Sequence, residues 1–164
     1  MDIHNKETIT LDFYKKDYYT KLSEYELSEE QSVYASLPLK GISECEKDPG
    51  KYPIVILYHR EPAGFLILDE GEGVRAYSTN KDAILIRSYS VNKEFQGKGI
   101  AIESLRMLDS FVKKHFPSKK EIILAVNHKN IVAQHVYKRS GFIDKGMRVM
   151  GKKGELLVFH KSLK

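Results

Sequence analysis

A buried-type strand that runs straight into a glycine loop and then an amphipathic helix sets the strongest limit on how this chain folds. Residues 83–91 form an apolar run with little alternation, the pattern of a strand covered on both faces. Val91-Asn92-Lys93-Glu94-Phe95-Gln96-Gly97-Lys98-Gly99 follows, and Ala101, Leu105, Leu108 and Val112 then recur at helical spacing over residues 99–115. Pro117 closes that helix, and residues 122–126 read as another buried strand. Asn130 caps a helix over residues 131–139, with Gly141 where a left-handed C-cap belongs. Two last strands, 142–150 and 156–160, flank a turn at Gly151-Lys152-Lys153-Gly154.

The first half reads as strand, helices and a hairpin. Residues 8–12 alternate as a short strand, and residues 14–27 read as a helix. Ser28-Glu29-Glu30-Gln31 has the form of an N-cap with a capping-box glutamine. A short helix over 39–47 ends at Pro49-Gly50. The runs 54–58 and 64–68 pair as a hairpin, and the polar, glycine-bearing residues 69–82 read as a mobile excursion. The expectation is an α/β (α+β) fold with a central mixed sheet covered on both faces.

Size and composition bound the class. A chain of 164 residues fits one domain, 1–164, and buries a core without disulfides or metal. It is 41% hydrophobic and 30% charged, a soluble globular balance. The lone Cys45 fits a reducing, cytoplasmic setting and reads as an inert thiol. No leader is visible in Met1-Asp2-Ile3-His4-Asn5, and no apolar stretch approaches the ~20 residues that span a bilayer. The six histidines lack metal-ligand spacing, so no metal is expected, and there is no Gly-x-Ser-x-Gly elbow. Residues 1–97 carry 12 Lys/Arg against 17 Asp/Glu, whereas residues 98–164 carry 15 against 5. The split reads either as solvated faces or as a basic half for an anionic ligand and an acidic half for a cationic one. Nucleic-acid binding is disfavoured, because the lysines are scattered without an aromatic-basic motif.

The glycine loop carries the chemistry. Glycines let the backbone approach a ligand closely, and free N–H groups at a helix start, worth about +0.5 of a charge, favour phosphate. The loop therefore reads as a phosphate or pyrophosphate cradle, or else as a tight strand-to-helix turn. A P-loop pattern is absent, and a dinucleotide fingerprint fails at Ile102, where a third glycine is needed.

With Gln96, Gly99 and Ala101 in an Arg/Gln-x-x-Gly-x-Gly/Ala pattern, after a strand ending Tyr89-Ser90-Val91, the segment resembles motif A of the GNAT acetyltransferase superfamily. Downstream, Asn130-x-x-Ala133-x-x-x-Tyr137 and Gly141-Phe142 resemble its motif B. The amino-terminal half resembles bacterial polyamine acetyltransferases of this group through Leu27-Ser28-Glu29-Glu30-Gln31 and the Gly64-Phe65 strand. The resemblance implies a mostly antiparallel sheet, split so that acetyl-CoA wedges in as acyl donor. It implies that the backbone of Tyr89, Ser90 and Val91 faces the pantetheine arm and that the backbone of Gln96, Gly97, Lys98, Gly99, Ile100 and Ala101 holds the pyrophosphate. Asn130 would touch the cofactor arm or cap its helix, and Tyr137 would protonate the departing thiolate. The acceptor implied is an amine: a polyamine, a peptide, an aminoglycoside or another small amine. Members of the superfamily are often homodimers.

The general base is not legible. Many family members carry a carboxylate on the strand before the loop, but here it reads Ile84-Leu85-Ile86-Arg87-Ser88-Tyr89-Ser90. A carboxylate elsewhere acting through water, an acceptor of lower pKa, or weak activity would each account for this. Glu26, Glu30 and Asp69 are candidates by chain position. Two other readings stand beside the enzyme: a non-catalytic acyl-CoA-binding sensor and a nucleic-acid-binding protein.

Overall fold

The computed structural model describes residues 8–164; the stretch read for a leader, Met1 to Asn5, lies outside the described residues. Seven strands form one sheet: β1 (Ile9–Phe13), β2 (Lys51–Tyr58), β3 (Glu61–Asp69), β4 (Ala83–Val91), β5 (Glu121–Asn127), β6 (Ile143–Gly151) and β7 (Gly154–Ser162). Their order across the sheet is β1-β2-β3-β4-β5-β7-β6. Every neighbouring pair is antiparallel except β4 and β5. The expected mixed, mostly antiparallel sheet is therefore present. The β2–β3 turn places His59 and Arg60 at positive φ, 48° and 70°, as a two-residue hairpin with primed geometry requires.

Alternation along the central strands feeds two cores. Ile54, Ile56, Leu66, Leu68, Ile84 and Leu124 share a face with α4 (Ile100–His115), which buries Ile100, Leu105, Leu108 and Val112. Val55, Leu57, Phe65 and Ile67 point to the other face. There they meet Leu22 of α1 (Tyr19–Ser23), Tyr25, and Ile42 of α3 (Pro38–Lys47). Helices thus cover both faces, as the non-alternating apolar runs require.

Two segments depart from expectation. The helix expected over 14–27 is a 3-10 turn (Lys16–Tyr18) followed by α1, which ends at Ser23. Beyond it, tertiary contacts take the backbone: Lys93 N–H donates to Glu26 C=O at 2.8 Å, and buried Tyr25 bonds Ser90 Oγ at 2.8 Å. The excursion after β3 is folded. A 3-10 helix (Glu72–Ala76) buries Val74 against Ala83, Leu85 and Ile123. Arg87 anchors it, donating from Nε to the buried carboxylate of Asp69 at 2.7 Å. The other elements lie within a few residues of their expected bounds.

Gly64 is buried in β3 under close packing. A Cβ there would lie 2.8 Å from Ile56 Cδ1 and 3.0 Å from the Ser90 carbonyl oxygen. Gly64→Ala is therefore expected to destabilise the fold by about 1–3 kcal/mol, the usual scale of overpacking. Urea denaturation measures it, and an unchanged midpoint would refute the packing argument.

Candidate active site

The site begins where a ladder ends. β4 and β5 pair in parallel from Ala83↔Glu121 to Ile86↔Leu124 and no further. Immediately afterwards β4 bulges: Phe65 faces Ser90 and Ile67 faces Arg87, so Ser88 and Tyr89 together oppose Leu66. Ser88 takes a φ of 55°, a backbone state costing about 1–3 kcal/mol in a residue with a side chain. A bulge bends its strand, and β4 leaves β5. The gap opens into a cleft of about 860 Å³ between the two strand ends.

One rim is the glycine loop. Gly97 and Gly99 have φ values of 83° and 77°, and a Cβ on either would meet nothing within 4 Å. Neither glycine is thus demanded by crowding within the chain; the left-handed backbone requires them. They leave open space before the first turn of α4, whose N–H groups have no intrahelical partner. That turn is fixed to β4 by Tyr89, whose hydroxyl lies 2.6 Å from Ser104 Oγ and donates to Ala101 C=O at 3.1 Å. An open helix start of this kind favours phosphate.

The second wall is α5 (Ile131–Arg139). Asn130 caps it, its side chain accepting from Ala133 N–H at 3.2 Å, so of the two roles expected the cap is seen. At the other end Phe142 N–H donates to Tyr137 C=O and Gly141 N–H to Lys138 C=O, both at 3.1 Å, with Gly141 at φ 102°. This is a Schellman motif, and its hydrophobic contact is Tyr137 against Phe142, ring centroids 6.1 Å apart. The helix end thus aims Tyr137 into the cleft, where its ring meets Tyr89 edge to face at 6.2 Å. Burial pushes its phenol pKa up, which keeps the proton on oxygen at neutral pH. The hydroxyl makes no hydrogen bond among the described residues.

The third wall is α2 (Glu29–Ser32), together with the β6–β7 turn. Ser28 caps α2, accepting from Gln31 N–H at 3.2 Å. The reciprocal half of the capping box is absent, because the Gln31 side chain goes elsewhere. Its Nε2 donates to Val91 C=O at 2.8 Å, and its Oε1 accepts from Val91 N–H at 3.0 Å. Lys153 of the turn donates to the Val33 carbonyl and ties the two parts of this wall together.

Of the residues singled out in the sequence, Tyr89, Val91, Gln96, Gly97, Gly99 and Ile100 line the cleft, as do Ala101, Asn130 and Tyr137. Ser90 and Lys98 do not. Ser90 is fully buried against Tyr25, and Lys98 lies over the Tyr58 ring, 6.0 Å from its centroid. Val91 lines the cleft with both backbone groups already bonded to Gln31. Among the candidate bases, Glu30 lines the cleft. Asp69 is buried against Arg87 and Gly71 N–H, and the Glu26 backbone bonds Asn92 and Lys93. The sequence reading missed Glu44, which α3 brings to the cleft, and saw Gln31 only as a capping residue. Both depend on contacts across the chain that no local pattern encodes. Burial pushes the Cys45 thiol up to about 11, so little thiolate exists at neutral pH. Among the described residues no group of His, Cys, Asp or Glu is placed to hold a metal ion, and no helix is long and apolar enough to cross a membrane.

The chain and its fold are matched in known proteins. The model of the acetyltransferase (GNAT) family matches residues 10–142, and the chain belongs to that family. Its activity is acetyl-CoA-dependent N-acetyl transfer. The uncharacterized N-acetyltransferase YbbJ of Bacillus subtilis (strain 168) is 40% identical over 158 residues, 96% of this chain and 99% of that protein. The fold is shared with aminoglycoside acetyltransferase AAC(6')-Ib in complex with coenzyme A and kanamycin, at a TM-score of 0.76 and 19% identity over 94% of each chain. It is shared also with the Vibrio cholerae spermidine N-acetyltransferase bound to CoA and spermine, at a TM-score of 0.63 and 17% identity over 96% of each chain.

Gly99→Ala is expected to weaken CoA binding about tenfold or more. The substitution puts a methyl group into the cradle and asks alanine for a left-handed backbone, itself costing about 1–2 kcal/mol. Calorimetric titration with CoA measures it, and wild-type affinity would exclude the loop as the phosphate site.

Proposed function

We infer that the chain transfers the acetyl group of acetyl-CoA directly to a primary amine held in the same cleft, with Tyr137 as the acid. The observation that carries this reading is the Tyr137 hydroxyl: protonated, aimed into the gap between β4 and β5, and bonded to no other described residue. In the reaction the amine nitrogen bonds the carbonyl carbon and the C–S bond breaks. The thiolate takes a proton from Tyr137, and the proton lost by the amine restores the balance through solvent.

The cradle of Gly97 and Gly99 suits the pyrophosphate of CoA, and the split strands suit its pantetheine arm. Val91 is bonded to Gln31, so the arm pairs with the strand at Tyr89. An amine with pKa ~10.4 is charged at pH 7, and making it neutral costs roughly 4–5 kcal/mol. Glu30 and Glu44 line the acceptor side and supply the carboxylates to attract the cation and take its proton through water. A polycationic acceptor, a polyamine or an aminoglycoside, suits two such carboxylates. The ligands named for the two fold neighbours, spermine and kanamycin, agree with that class.

Thiol release from acetyl-CoA against a panel of polyamines, aminoglycosides, peptides and small amines tests the reading. Release with a polyamine or aminoglycoside is expected, and no release with any amine despite CoA binding would overturn it. In the same assay Tyr137→Phe is expected to lower kcat by about 10²–10³, within the range of positioned acids, and to leave CoA affinity unchanged. Equal turnover in the variant would remove Tyr137 from the mechanism.

A further inference from the structure

We propose that the side-chain amide of Gln31 donates a hydrogen bond that polarises the thioester carbonyl, in place of the Val91 N–H that it occupies. The inference rests on the reading of the cleft as the acetyl-CoA site. Asn92 N–H bonds β3 through Ala63 C=O at 2.7 Å, so by strand alternation the groups of Val91 face the other way, toward the cleft. Both are taken: the N–H by Gln31 Oε1 at 3.0 Å and the C=O by Gln31 Nε2 at 2.8 Å. Val91 therefore has no N–H left to offer a ligand. Gln31 lines the cleft, and a primary amide nitrogen carries two hydrogens. One goes to Val91; no other described residue accepts the second.

Three features suit that second N–H to the task. First, Gln31 is fixed at both ends, its backbone N–H on Ser28 Oγ at 3.2 Å and its amide on Val91, so the donor needs no reorganisation when charge develops. Second, the bond from Val91 N–H into Oε1 polarises the amide and strengthens its remaining donor. Third, the segment leading to it is zipped to the strand end, with Lys93 N–H on Glu26 C=O at 2.8 Å. As the amine nitrogen bonds the carbonyl carbon, the carbonyl oxygen gains negative charge. Gln31 stabilises it until the C–S bond breaks and the thiolate is protonated. Gln31 itself neither gains nor loses a proton.

A clasp that merely held α2 to β4 would affect stability but not the electronic state of the bound thioester. Infrared difference spectra of [1-13C]acetyl-CoA bound without acceptor read that state. The expected result is a carbonyl stretch moved to lower frequency in the wild-type complex and returned toward its solution value in Gln31→Glu, which still accepts from Val91 N–H and so frees no other donor. A fall in kcat of about 10²–10³, the scale for loss of one such donor, should accompany it, with the affinity for CoA, which lacks that carbonyl, unchanged. Gln31→Glu keeps the acceptor for Val91 N–H and removes both donors; Gln31→Met, which frees that N–H, replaces it if it does not fold, and there a smaller loss is expected. A wild-type-sized frequency shift in a folded variant, wild-type turnover, or no shift in the wild-type complex itself would overturn the proposal. Failure of the wild-type protein to bind acetyl-CoA at all would instead overturn the reading of the cleft.

Discussion

Everything at the site depends on the bulge at Ser88 and Tyr89. A continuous parallel ladder between β4 and β5 would bond the facing backbone groups of the two strands and leave no gap. By placing two residues of β4 against Leu66 alone, the bulge turns the strand away after Ile86, and the sheet opens between two elements that stay packed on the same face of α4. The opening costs the ladder bonds beyond Ile86 and the strain of Ser88 at φ 55°. It is held by contacts on either side. Arg87 is locked to Asp69, and Tyr89 is tied to the first turn of α4 through Ser104 and Ala101. The same hydroxyl that holds the strand end therefore also sets where the glycine loop meets the helix.

Tyr137 shows how local rules aim a side chain into the cleft. The Schellman bonds at Gly141 fix the last turn of α5, and the ring contact with Phe142 fixes the direction of the phenol. Asn130 does the same for the first turn. Nine residues between two caps are too few for a stable free helix. Docking of Ala133, Val136 and Tyr137 on the core supplies the rest.

These caps, the glycine loop and the two buried strands were legible in the sequence because each obeys a short-range rule: a capping asparagine, a glycine at positive φ, an apolar run of strand length. The long amphipathic helix was legible from its period. What was not legible rests on long separations. Gln31 meets Val91 across 60 residues, and Tyr25 meets Ser90 across 65. Those bonds unwind the helix that local pattern alone implies for residues 24–27, and they redirect a capping-box glutamine into the cleft. The bulge was hidden for another reason, since Ser88 is not the glycine that commonly marks a left-handed residue in a strand. The order in the excursion after β3 was hidden because its anchor, Arg87, lies on another element.

Arg87 also explains why a carboxylate is missing from β4. Its guanidinium is engaged by Asp69, stacks near Tyr77 at 6.0 Å, and lies so close to Gly73 that a Cβ there would sit 2.4 Å from Nη2. The position thus serves to pin the 3-10 segment beside the cleft. An acid at 87 would face the buried Asp69, whose side chain is 1% exposed, and two carboxylates so close oppose each other's ionisation. The carboxylates that reach the cleft come instead from the opposite wall, where α2 brings Glu30 and α3 brings Glu44. The lining of the cleft is thereby divided between the two halves of the chain. The carboxyl-terminal half brings Gly99 and Tyr137 to the cleft, and the amino-terminal half brings Glu30, Glu44 and Gln31.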